Sequence, residues 1–166
     1  MRRVAALMDA WAGRLGLGDA ERARWRAAGM LHDVLRDADP ESLASTVEPA
    51  LRAVPDSLLH GPAAAARLRA AGVGDEGLLE AVAFHTIGRA GMGTLGRMLY
   101  VADFLEPGRT FEREWRAGLR ERMPEEAPAV LPEVVAARIR HLLSAGSKVR
   151  SESLGFWNAL VEEGGW

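Results

Sequence analysis

Four histidines occur in the 166-residue chain, and three of them stand where they could do chemistry. His32 is followed directly by Asp33, in a stretch whose pattern reads as helix. Adjacent helical residues point about 100° apart, yet both side chains can reach one point just off the helix. Burying such a pair is costly unless something satisfies both groups. A divalent metal would do so, because imidazole and carboxylate are its natural ligands. His60 precedes Gly61-Pro62 at the entry to a helix, where a rigid turn would preorganise a ligand. His85 closes another helix, in His85-Thr86-Ile87-Gly88-Arg89. Asp103 falls in Leu99-Tyr100-Val101-Ala102-Asp103-Phe104-Leu105, a strongly apolar run. Stepping back three and four positions reaches Tyr100 and Leu99, so Asp103 is expected to face inward and to need a metal or an arginine.

Each histidine also fits a structural role when taken alone. His32 would suit a core position bonded to backbone, His60 a surface loop, and His85 a helix C-terminus favoured by the macrodipole. His141 has no comparable setting and reads as a structural or surface residue.

The elements that must position these groups are helices. Alanine, leucine, arginine and glutamate dominate, all good helix formers, and no run alternates long enough to argue for a sheet. Helices are expected from the N-terminus to about Leu15, and from a cap at Asp19 to about Arg36. A weaker one spans about Pro40 to Arg52. Further helices run from Pro62 to Ala71, Asp75 to Phe84, and Gly91 to Leu105. Thr110 to Glu126 reads as a solvated helix or loop, and Pro132 to Leu143 and Ser151 to Glu163 supply the last two helices. No repeat, low-complexity tract or linker divides the chain, so residues 1–166 are expected to form one all-α domain.

Composition narrows the class further. Hydrophobic residues make up 48% and charged residues 27%, with a formal net charge of −2. That balance suits a globular protein and gives no global argument for nucleic acid or an anionic membrane. Lys148 is the single lysine, and there is no cysteine. Disulfides and thiolate ligands are therefore excluded, and a reducing compartment is suited. Met1-Arg2-Arg3 followed by Val4 to Met8 resembles the start of an export signal, but Asp9 and Arg14 interrupt it. No stretch approaches the roughly 18–20 apolar residues needed to cross a bilayer, so a cytoplasmic protein is expected. Trp11, Trp25, Trp115, Trp157 and Trp166 offer stacking surfaces, and core or interface packing explains them equally well.

Four segments together resemble a known pattern. Leu31-His32-Asp33-Val34-Leu35-Arg36, His60-Gly61-Pro62, His85-Thr86-Ile87-Gly88-Arg89 and Ala102-Asp103-Phe104-Leu105-Glu106-Pro107-Gly108-Arg109 are similar in order and spacing to the HD-domain superfamily. They most resemble its bacterial symmetrical diadenosine tetraphosphate hydrolases, and Ser151-Glu152-Ser153-Leu154 through Trp157-Asn158 is similar to that family's closing helix.

The resemblance implies an HD-domain helical bundle around two divalent metals, iron by preference, with manganese or another divalent ion as the alternative. Asp33 would bridge both metals, with His32 and Asp103 on the first and His60 and His85 on the second. Two such metals lower the pKa of a shared water and clamp phosphoryl oxygens. The implied reaction is hydrolysis of the polyphosphate bridge to two ADP. Arg36, which stands where the family usually has lysine, and Arg89 and Arg109 would meet phosphate charge. Glu106 would orient an arginine or a ligand. Implied partners are a nucleotide or dinucleoside polyphosphate, with no nucleic acid or membrane and a homodimer as an option.

The resemblance also implies a sixth ligand, a histidine at the beginning of the first helix. Aligning the family's segment with Val4-Ala5-Ala6 places it immediately upstream of Met1. Either an upstream start supplies it, or the centre works with five ligands and open positions. Hydrolysis of another nucleotide, and a non-catalytic nucleotide-binding module, are the alternative functions.

Overall fold

A computed structural model describes residues 1–47 and 55–164. Within them the order is α1 (Arg2–Arg14), α2 (Asp19–Leu31), α3 (Pro40–Ala44), a 3-10 turn (Asp56–Leu58), α4 (His60–Ala70), α5 (Glu76–Phe84), α6 (Thr94–Phe104), α7 (Arg113–Arg122), α8 (Ala127–Ser144) and α9 (Ser151–Glu162). No strand occurs among the described residues, and no helix is long and apolar enough to cross a membrane.

Helix α6 is the axis of the core. Every residue from Met98 to Phe104 is buried, Asp103 included. Such a helix, apolar nearly all round, needs neighbours on several sides. Val4, Met8 and Trp11 of α1, Trp25 and Ala28 of α2, and Leu78, Leu79 and Val82 of α5 supply them. Val130, Val134 and Val135 of α8 and Phe156 of α9 complete the cluster. Leu43, Val47, Leu59 and Ala63 form a smaller satellite beneath the start of α4. Trp11 and Trp25 are thus core residues, not stacking surfaces; Trp115 packs edge-on against Phe104, with ring centroids 5.9 Å apart.

Several boundaries differ from the sequence expectation. Helix α2 stops at Leu31, not Arg36. Its backbone tightens there to bonds three residues apart, Val34 to Leu31, Arg36 to Asp33 and Ala38 to Leu35, so His32 and Asp33 sit on the helix end and not within it. Gly18 occupies the N-cap position of α2, and Asp19 is its first helical residue, where its charge suits the dipole. Helix α3 is short, and the expectation reaching to Arg52 runs into residues 48–54, outside the described ones. Helix α4 begins at His60, two residues before Pro62, and α6 begins at Thr94, because Gly91 takes a left-handed backbone (φ +74°). The segment Thr110 to Glu126 contains a true helix, α7, that buries Arg116 and Leu119. Helix α8 starts at Ala127: Pro128 takes the early helical position, and Pro132 lies inside, held by buried Val130, Leu131, Val134 and Val135.

The C-terminus of α6 carries an unusual set of caps. The last carbonyls of a helix have no partner within it. Here Arg109 Nε donates to Asp103 O (3.1 Å), Arg116 donates to Phe104 O, and Arg120 Nη1 donates to Leu105 O (2.8 Å). Three arginines therefore meet three successive carbonyls at the negative end of the dipole, next to the Asp103 side chain.

Candidate metal centre

Each of the three histidines is oriented by the same local device. His32 Nδ1 faces Gly29 O at 2.9 Å, His60 Nδ1 faces Ser57 O at 2.9 Å, and His85 Nδ1 faces Val82 O at 2.8 Å. In every case the carbonyl lies three residues back; for His32 and His85 it belongs to the last turn of a helix, where carbonyls lack an intrahelical partner. An imidazole that donates through Nδ1 presents an unprotonated Nε2 on its far side. His32 and His85 directly follow α2 and α5, and His60 opens α4. Two helix ends and one helix start thus aim three lone pairs at a common region.

Asp33 lies at the centre of that region. Its Oδ1 is 3.1 Å from His60 Nε2 and 3.4 Å from His85 Nε2, while its Oδ2 is 3.4 Å from His32 Nε2. Asp103 Oδ1 is 3.9 Å from His32 Nε2. The carboxylate of Asp33 therefore separates two groups of donors: His60 and His85 on one oxygen, His32 with Asp103 on the other. Donor atoms of His32, Asp33 and His85 all lie within 4.8 Å of one another.

Close packing permits this convergence. A Cβ on Gly61 would stand 2.9 Å from both Val82 O and Ala83 O and 3.3 Å from His85 Cε1. Only glycine lets α4 approach the end of α5 so closely, and that approach brings His60 Nε2 to 3.2 Å from His85 Nε2. The turn after His85 is held from behind. Ser153 Oγ donates to Ile87 O at 2.7 Å. Gly88 takes φ +67°, with the Phe156 ring where a side chain would go.

Electrostatics favours the ligating forms of His85 and Asp103. Burial pushes His85 below its ordinary pKa against the pull of Asp33, which favours the neutral ring. Burial alone would raise Asp103, yet the guanidinium groups of Arg138 and Arg109 outweigh that and hold it at about 2. Three imidazole Nε2 atoms and two carboxylates, converging within 4 Å with each Nδ1 turned to a main-chain carbonyl, form a set that a cation could share. A divalent metal fits this oxygen and nitrogen set.

A cleft of about 300 Å³ opens over His32, Asp33 and Asp103 and is walled by Arg3, Glu106 and Arg109. Arg109 Nη2 donates to Asp103 Oδ1 at 2.7 Å. Glu106 accepts from Arg3 and from Gly108 N, which fixes the turn carrying Arg109. Arg36 Nη1 stands 3.5 Å from Asp33 Oδ1, largely in solvent. Arg89 runs back along α5, 3.5 Å from Glu80 and over the Phe84 ring, and is not among the residues lining the cleft. His141 is exposed on α8.

Sequence reasoning missed Arg138. Its Nη2 donates to Asp103 Oδ2 at 3.0 Å and its Nη1 to Thr86 O at 3.0 Å. The signal was available: Leu131, Val134, Val135 and Arg138 follow the three-and-four spacing of one helix face, so an arginine ends a buried stripe.

Residues 1–128 match the family model described as HD domain. The chain is 26% identical over 150 residues to the symmetrical bis(5'-nucleosyl)-tetraphosphatase of Halalkalibacterium halodurans, covering 87% of this chain and 79% of that protein. It is 35% identical over 100 residues to the protein of the same name from Bacillus subtilis, covering 55% of this chain and 53% of the relative. That second match spans about half of each protein. Among solved structures, a predicted HD superfamily hydrolase involved in NAD metabolism from Clostridium acetobutylicum superposes with a TM-score of 0.82 at 24% identity. The superposition covers 98% of this chain and 87% of the other, a likeness of fold.

Proposed function

The chain belongs to the HD-domain family, and from that premise we propose that it is a metal-dependent phosphohydrolase cleaving diadenosine tetraphosphate symmetrically into two ADP. The observation that carries this reading is the convergence of three oriented Nε2 atoms on the two oxygens of Asp33. Curated relatives named symmetrical bis(5'-nucleosyl)-tetraphosphatase support the choice of substrate.

Asp33 would bridge two metals, His60 and His85 would complete one site, and His32 with Asp103 the other. The division of donors between the Asp33 oxygens supports that pairing. Imidazoles with carboxylates suit iron or manganese. When bound, the metals supply Lewis acidity that activates water and neutralises phosphoryl charge. Water adds at one of the two central phosphorus atoms, the central P–O–P bond breaks, and each half leaves as ADP. Arg109, on the cleft wall beside Asp103, is placed to bind phosphate oxygens, with Arg36 at the mouth and Arg89 further out. Absence of cysteine suits the reducing cytoplasm.

The test is product analysis on the purified chain loaded with iron or manganese. ADP as the sole product supports the proposal, whereas ATP plus AMP would overturn symmetrical cleavage. Metal-free protein after loading would overturn the metal centre itself.

A further inference from the structure

We propose that Arg138 is a positioning residue that holds Asp103 and the turn after His85 in register for the metal centre. This rests on the reading of that centre as metal-binding. The Asp103 carboxylate is shared between two guanidinium groups with different surroundings. Arg109 takes Oδ1 from the cleft side, and its side chain is 40% exposed. Arg138 takes Oδ2 from behind, and its side chain is 19% exposed. Arg109 lines the cleft while Arg138 does not. A ligand in the cleft can therefore meet the first and not the second.

The second bond of Arg138 gives it reach. Its other Nη donates to Thr86 O, the carbonyl immediately after His85. One planar group on α8 thus joins the end of α5 to α6, the two elements that bring ligands from opposite sides of the centre. The group itself is held flat: it lies 4.4 Å from the Tyr100 ring centroid and 5.3 Å from that of Phe104. Tyr100 and Phe104 flank Asp103 on α6, so the carboxylate and its partner share one support. Its Nε is buried without a hydrogen-bond partner. The arginine is therefore not seated by a full set of local bonds, and its two donations both serve the ligand-bearing segments. A guanidinium can span two acceptors in a fixed fork, which an ammonium cannot. Partners that orient metal ligands typically change metal affinity by about 10–100-fold when lost.

The experiment titrates metal-free full-length protein with Mn2+, following bound and free ion by electron paramagnetic resonance. Wild type is compared with Arg138→Met, Arg138→Lys, Asp103→Asn and the Arg138→Met/Asp103→Asn double variant, with thermal melting of each metal-free protein. The expected result is that both Arg138 variants bind Mn2+ at least about 10-fold more weakly at one site while melting close to wild type. The double variant should bind no more weakly than Asp103→Asn alone. With saturating metal, kcat should fall while KM stays near the wild-type value. An unchanged titration, or effects that simply add in the double variant, would overturn the proposal. If Arg138→Met does not fold, Arg138→Lys is read instead, and failure of both to fold assigns the residue to structure alone. Wild type that binds no Mn2+ would refute the metal-centre reading, a different result from wild type and variants binding equally.

Discussion

His60 and His85 face one another through Nε2 atoms 3.2 Å apart, while each ring's Nδ1 is turned to a main-chain carbonyl. Neither ring has a proton to offer the other in its neutral form. Asp33 Oδ1 adds a third acceptor within 3.4 Å of both. Packing of α4 against α5 holds this arrangement, and a bound cation would relieve it.

Chelation should therefore destabilise the folded protein. A ligand that binds only the native state at 100 times its Kd adds about 2.7 kcal/mol. For a chain of this size, about 2–4 °C per kcal/mol predicts a loss of roughly 5–11 °C in Tm on stripping metal. Differential scanning calorimetry with and without chelator measures it, and coincident melts would argue against a native-state metal site.

His85→Ala should reduce hydrolysis to background and lower bound metal, with helical circular dichroism preserved. The side chain is 1% exposed, so some stability is lost with its packing. Unchanged turnover would remove His85 from the centre.

Gly61→Ala should act on the site without altering any ligand. The added methyl meets Val82 O and Ala83 O at 2.9 Å, which must push α4 from α5 and draw His60 away from His85. A loss of about 1–3 kcal/mol is expected, together with weaker metal binding in titration. Gly118→Ala is the control. That position is exposed within α7 with nothing within 4 Å, and it should gain about 0.5–1 kcal/mol with metal binding intact.

Asp75 caps α5 through Leu78 N at 3.0 Å and pairs with Arg24 at 2.5 and 2.8 Å. The hydrogen bonds from Arg24 lower its pKa against a smaller opposing effect of burial. A carboxyl lowered in the folded state stabilises the protein above its ordinary pKa of about 4, and that contribution is lost as pH falls through the folded value. Asp75→Asn keeps a capping group but removes the charge. Both partners are about a third exposed, so a difference of up to about 1 kcal/mol is expected at pH 7. Denaturation at a series of pH values should show the gap closing progressively below about pH 4, and a gap that widened on acidification would contradict the assignment.

Arg109→Met should raise KM for diadenosine tetraphosphate more than Arg89→Met does. Arg109 walls the cleft, whereas Arg89 lies along α5 beside Glu80. Steady-state kinetics of the two variants decide it; equal effects would place Arg89 nearer the substrate than its contacts suggest.

The helical class and the inward-facing Asp103 were legible because their signals are local: propensity, apolar spacing and one carboxylate in an oily run. Where α2 ends was not. Nothing in Leu31 to Arg36 breaks a helix; the change to bonds three residues apart accompanies the docking of His32 and Asp33 against α4 and α5. Arg138 escaped notice for a related reason. Its partners are 35 and 52 residues away, and only the packed fold shows that a buried face of α8 ends beside Asp103.

The HD-domain match ends at residue 128, yet Arg138, Ser153 and Phe156 all close on the turn behind His85. The matched core carries the proposed ligands, and later helices form the wall on which they rest. Substitutions in α8 and α9 would thus act on the proposed metal centre from the rear, away from the cleft lined by Arg3, Glu106 and Arg109.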